Sequence, residues 1–135
     1  MLTRLIYASE ADAALTPAQV DDMLVHARKN NLRQHLTGLL LFDSQCFLQV
    51  LEGSRASVSD TFGKILRDPR HRRVELLEST AVDARHFDRW QMAFSPALAS
   101  HQVVYQRYGC EPRFNPFGMT AGAALHLLVA LSPAH

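Results

Sequence analysis

Phe47-Leu48-Gln49-Val50-Leu51-Glu52-Gly53, read beside Leu5-Ile6-Tyr7-Ala8-Ser9, decides the fold of this chain. Both are apolar runs of strand length, and each carries one polar side chain among apolar ones. Alternation puts Leu5 and Tyr7 on one face of the first run, and Phe47, Gln49 and Leu51 on one face of the second. A phenol and a carboxamide are therefore expected to face the same core. Burying such a group without a partner costs roughly 1–3 kcal/mol, so Tyr7 and Gln49 should bond to each other, to backbone or water, or to a ligand. A tyrosine hydroxyl that simply reaches a carbonyl or solvent is the plain alternative.

Outward from these runs, the first strand spans about Leu2 to Ser9, and a helix follows Leu15. There Thr16-Pro17-Ala18-Gln19 supplies an N-cap, a proline at the first helical position and a glutamine that reaches back, which is a capping box. Val20, Met23, Leu24 and Ala27 recur at helical spacing, and the helix is expected to end near Asn30-Asn31, where one asparagine would suffice as a cap. Leu36 to Phe42 and Phe47 to Leu51 read as a hairpin across Asp43-Ser44-Gln45, with Gly53-Ser54 breaking the strand pattern. A second helix runs from Arg55 to Arg67 and stops at Asp68-Pro69. Val74 to Ser79 and Trp90 to Phe94 complete five strands. The order is β-α-β-β-α-β with one strand added: an α+β, ferredoxin-like βαββαββ fold, its five-stranded mixed sheet carrying two helices on one face.

Residues 1–95 are read as that domain and 96–135 as an appended helical segment. In the segment, Ala97 to Tyr108 and Met119 to Leu131 are helix-like, and Gly109 to Gly118 is a linker. Leu125, Leu128, Val129 and Leu131 need burial, which the uncovered sheet face or a second copy would supply equally well, and a homo-oligomer is expected among the partners. The stretch Met119 to Leu131 is too short to span a bilayer.

Fourteen basic against thirteen acidic residues leave almost no net charge, which argues against nucleic acid as a direct partner. Arg67, Arg70, Arg72 and Arg73 read as a solvated loop, though Arg70 and His71 remain candidates for an anionic ligand. Two isolated cysteines, Cys46 and Cys110, and an N-terminus without signal-peptide character fit a cytoplasmic protein with no membrane association. The seven histidines, His26, His35, His71, His86, His101, His126 and His135, show no zinc spacing, so no metal is expected. There is no phosphate-binding glycine loop. Glu52, inside a strand on the face opposite Gln49, is assigned to a sheet edge or solvent.

Six ordered pieces, Leu5-Ile6-Tyr7, Ala27-Arg28-Lys29-Asn30-Asn31, Leu36-Thr37-Gly38-Leu39-Leu40, Phe47 to Gly53, Asp68-Pro69-Arg70-His71 and Trp90-Gln91-Met92, together resemble the BLUF family of flavin-using blue-light sensors. The resemblance covers about Met1 to Ser95, in a short type without a fused effector. It implies a flavin, usually FAD with FMN possible, lying between the two helices above the sheet. On the matching positions it implies that Tyr7 is the electron donor and Gln49 the switchable amide between it and the flavin. Asn30, Asn31, Gln49, Lys64, Ile65, Asp68, Arg70 and His71 are the implied cofactor contacts. Trp90 and Met92, on the fifth strand, are the implied relay to a separate signalling partner, with one of the two beside Gln49.

The chemistry suits these residue types. A phenol of pKa about 10 is neutral near pH 7 and can release an electron and a proton together. A carboxamide can exchange its donor and acceptor ends by rotation or tautomerisation without acquiring charge. A new bond from Gln49 to the flavin carbonyl would shift the absorption to the red. Two other readings stand beside this one: a flavin oxidoreductase, marked by turnover with a reductant, and a ligand-free interaction module in which Tyr7 and Gln49 satisfy each other.

Overall fold

The structure, a computed structural model, describes residues 1–133. Five strands form one mixed sheet: β1 (Leu2–Ala11), β2 (Thr37–Phe42), β3 (Cys46–Ser54), β4 (His71–Val82) and β5 (Ala93–Pro96), in spatial order β4-β1-β3-β2-β5. All neighbours are antiparallel except β2 and β5, so the expected mixed, ferredoxin-like sheet with one added strand is what forms. Leu5, Tyr7, Leu40, Phe47 and Leu51 point to one face and pack under α1 (Pro17–Gln34) and α2 (Arg55–Arg67).

The capping box at Thr16 and Gln19 forms as read, with both reciprocal hydrogen bonds made. The end of α1 is a correction. The helix runs one turn past Asn30-Asn31, and His35 takes the left-handed conformation (φ 56°) that closes it. Neither asparagine caps, because their amides bond sideways to Thr61 and to the Gln91 carbonyl while Leu32, Arg33 and Gln34, good helix formers, extend the turn.

The fifth strand is also corrected. It begins at Ala93, where the chain meets Leu39, and not at Trp90. The carbonyls of residues 90–92 are taken by the Gly38 N–H, the Asn31 amide and the Arg28 guanidinium, so this stretch hangs beside the sheet before pairing starts. Trp90 and Met92 thus precede the strand. β3 and β4 extend beyond their expected ends because β1 offers ten residues of partner on both sides.

After Pro96 come a 3-10 turn (Ala99–His101), α3 (Gln102–Tyr108), a second 3-10 turn (Pro116–Gly118) and α4 (Ala121–Ala130). They cover the second sheet face. Tyr105, Phe114, Ala124, Leu127, Leu128 and Leu131 bury against Ile6, Leu39, Leu41, Leu48 and Val50. The apolar tail is therefore satisfied by its own sheet. Leu125 is half-buried, and Val129 remains 47% exposed. With both faces covered, β3 is buried along nearly its whole length, which is why its sequence is an apolar run with no clean alternation.

No helix among the described residues is long and apolar enough to cross a membrane, and no group of His, Cys, Asp or Glu among them could hold a metal ion. His135 lies outside the described residues.

Candidate functional site

Between α1, α2 and the sheet lies a cleft of about 400 Å³, within the range of small-molecule sites. Its walls are apolar: Met23, Leu24 and Ala27 from α1, Ile65 from α2, and Leu40 and Met92 below. Polar groups gather at two places. Asn30, Asn31, Gln49 and Thr61 stand on the inner side, while Lys29, Arg33, Lys64, Arg70 and His71 line the rest with Asp68.

Tyr7 and Gln49 are direct cross-strand partners of β1 and β3, so the register itself sets the phenol against the carboxamide. The Tyr7 hydroxyl donates to Gln49 Oε1 in a buried hydrogen bond. Gln49 Nε2 donates to Met92 Sδ at 3.3 Å. Tyr7 is fully buried behind Gln49 and does not line the cleft, whereas Gln49 does. Phe62 (ring centroids 5.5 Å apart) and His71 (6.0 Å) pack on the Tyr7 ring. Burial drives the phenol pKa far above its usual value of 10, and the Asp68 charge adds to this. The phenol therefore holds its proton near neutral pH.

Asn31 is buried, and its Nδ2 donates to Gln91 O at 2.5 Å. Asn30 bonds Thr61 Oγ1 at 3.0 Å and accepts from Lys64 Nζ at 3.2 Å, tying α1 to α2 across the cleft. Arg70 clamps Asp68 at 2.7 Å. Burial works to raise the Asp68 pKa, but the Arg70 hydrogen bonds and charge outweigh it and hold the carboxyl below the usual carboxylate value.

His71 Nδ1 pairs with Ser9 Oγ at 2.8 Å, and its ring packs on Phe47. Burial pushes His71 down to about 4 from 6.5, against the pull of Asp68. The unfolded chain then binds a proton in a window where the native protein does not, so stability is full above pH 6.5 and falls as pH drops towards 4. Urea titrations of the cofactor-free protein should show a loss of up to about 3 kcal/mol across that window, and His71→Gln should remove it.

Of the residues expected at the site, Asn30, Asn31, Gln49, Lys64, Ile65, Asp68, Arg70, His71 and Met92 all line the cleft. Met92 is the one beside Gln49. Trp90 packs instead against the cluster on the other sheet face. Sequence reading did not assign Met23, Leu24, His26, Ala27, Lys29, Arg33, Leu40 or Thr61 to the site. Leu24 and Ala27 were legible, since they lie seven and four residues before Asn31 on the same helical face.

Residues 2–93 match the sequence profile described as "BLUF: Sensors of blue-light using FAD". The chain belongs to the BLUF family. It is 34% identical over 89 residues to the blue light- and temperature-regulated antirepressor BluF of Escherichia coli (strain K12), a match covering 66% of this chain and 22% of that protein. It is 33% identical over 93 residues to photoactivated adenylate cyclase subunit alpha of Euglena gracilis, of which the match covers 9%. The chain thus spans under a quarter of the length of either relative. The solved structure of BlsA in its ground state superposes over 100% of this chain and 90% of its own, with a TM-score of 0.90 and 28% identity. The dark-state BLUF protein BlrB gives 0.73 and 30% identity over 78% of this chain and 82% of its own.

The cleft fits the family's flavin on its own chemistry. It offers two apolar walls for a flat ring, amides of both polarities on the inner side, and lysine and arginine side chains for phosphate.

Proposed function

We propose that this BLUF chain is a non-catalytic blue-light photoreceptor whose switch is the Tyr7–Gln49–Met92 hydrogen-bond chain. The observation that carries this is the buried amide of Gln49, held at one end by Tyr7 and at the other by Met92, with its flank open to the cleft. A bound flavin supplies the blue absorption and an excited state that accepts an electron. Tyr7 is the donor: its hydroxyl keeps its proton in the dark and has one route for it, to Gln49 Oε1. Gln49 gains that proton on Oε1 and gives one up from Nε2 on its cleft side, where a bound flavin would take it with the electron. The amide, now tautomerised or turned, releases Met92 Sδ, and the reverse transfers restore Tyr7 in recovery. Each hydrogen bond exchanged is worth about 0.5–1.5 kcal/mol, enough to bias two close arrangements and too little to unfold an element.

The rearrangement passes from Met92 into β5. There Ser95 Oγ donates to the Leu131 carbonyl at 2.6 Å, joining the strand to the end of α4. On this reading residues 1–95 sense light and residues 96–135 present the change to a separate signalling protein. Among the described residues of the tail, Leu98, Val103 and Val129 are the large apolar side chains left exposed for that partner or for a homo-oligomer. A cytoplasmic location suits such a sensor.

Asn30, Asn31, Lys64, Ile65, Asp68, Arg70 and His71 are proposed to hold the cofactor, with FAD as the resident form and FMN as the alternative. Heat release and chromatography of the flavin carried by the purified protein test this. FAD alone is the expected result, and a protein that takes up no flavin on reconstitution would remove the reading.

A further inference from the structure

Glu52 is the site-strand residue that the photoswitch leaves unexplained. It was expected at an edge or in solvent, yet it is 0% exposed near the end of the central strand β3. Its side chain points to the face opposite Gln49 and accepts three hydrogen bonds: from His86 N at 2.7 Å, Phe87 N at 2.9 Å and Thr37 Oγ1 at 3.2 Å. Two of these donors are backbone groups of the segment 83–92, which joins β4 on one edge of the sheet to β5 on the other. The segment is a strap across the sheet end. Arg85 tightens the same end, giving its guanidinium to Thr37 Oγ1, Glu52 O and His35 O at 2.9–3.1 Å. Phe87, 1% exposed, plugs the strap into the core under α4.

The far end of the strap is held with equal care. Gly38 N–H bonds Trp90 O, Asn31 Nδ2 bonds Gln91 O, and Arg28 Nε bonds Met92 O at 3.0 Å. A side chain at residue 38 would collide with Val50 O and crowd Met92 Cε, so only glycine lets Met92 lie this close to the sheet. β3 therefore grips both ends of one strap: at Glu52 through backbone N–H groups and at Gln49 through Met92 Sδ.

We infer that Glu52 is a positioning residue of the photocycle, fixing the strap register that presents Met92 Sδ to Gln49 and so sets how readily the dark amide arrangement re-forms. This rests on the photoreceptor reading. A glutamine at position 52 keeps the volume but turns one acceptor into an NH₂ group facing a backbone N–H, a donor against a donor. The strap should then shift, and Gln49 should meet a poorer acceptor on its way back.

The test is the dark recovery of the red-shifted state in wild type, Glu52→Gln, Met92→Leu and the double variant. The expected result is recovery slowed about fivefold in Glu52→Gln, the effect of one weakened hydrogen bond, with no further slowing when it is added to Met92→Leu. Recovery equal to or faster than wild type overturns the inference, as does an additive double variant, which would make Glu52 a structural residue independent of Met92. If Glu52→Gln does not hold flavin, Arg85→Gln loosens the same end of the strap and must show the same slowing and the same non-additivity. A wild-type protein with no red shift defeats the photoreceptor reading itself, a result separate from these.

Discussion

Gln49→Leu is expected to retain the flavin and to lose the reversible red shift completely. Leucine matches the glutamine in volume and keeps company with Leu40 and Leu51, so the cleft wall survives. What disappears is the group that takes the Tyr7 hydrogen bond and gives one to Met92. The same substitution has a stability signature. Tyr7 is fully buried, and its hydroxyl would lose its partner at a cost of about 1–3 kcal/mol, visible as a lower urea midpoint. A retained red shift would take Gln49 out of the mechanism, and an unchanged midpoint would mean that the phenol finds another acceptor.

Tyr7→Phe is expected to bind flavin and to lose the normal photocycle, because the ring that packs on Phe62 and His71 remains while the transferable proton is gone. Gln49 Oε1 is then the orphan, with a cost of similar size. The double variant Tyr7→Phe, Gln49→Leu removes both partners at once. Its destabilisation should therefore be clearly smaller than the sum of the single losses, the mark of two groups that satisfy each other. Flash-induced difference spectra and urea unfolding of the four proteins check both parts.

The pattern of apolar runs and caps carried most of the fold. The capping box at Thr16 and the span Arg55–Arg67 of α2 were legible because local hydrogen bonds and a helical apolar stripe decide them. That Tyr7 and Gln49 face one core and each need a partner there was legible from the alternation, while the bond between them was one of several outcomes the sequence left open. What escaped the sequence was decided by long-range partners. Asn30 and Asn31 look like helix caps until α2 and the 90–92 stretch are there to take their amides. Trp90 and Met92 look like a strand because their alternation is strand-like, but the β2 edge begins to pair with the chain only at Ala93.

Glu52 shows the same limit from the other side. A carboxyl in a strand reads as belonging to a sheet edge or to solvent, and it takes a strap returning 34 and 35 residues later in the chain to supply the backbone N–H donors that meet it in the core. The choice between Trp90 and Met92 as neighbour of Gln49 depended on which sheet face each reaches, and no local pattern encodes that.

The most direct measurement is the visible absorption spectrum of the purified, flavin-loaded protein in the dark, after a blue flash, and through recovery. A flavin band that moves to the red without reductant and returns in the dark is the predicted result. A flavin spectrum that does not move under blue light, or that bleaches only when a reductant is added, would contradict the Tyr7–Gln49–Met92 switch.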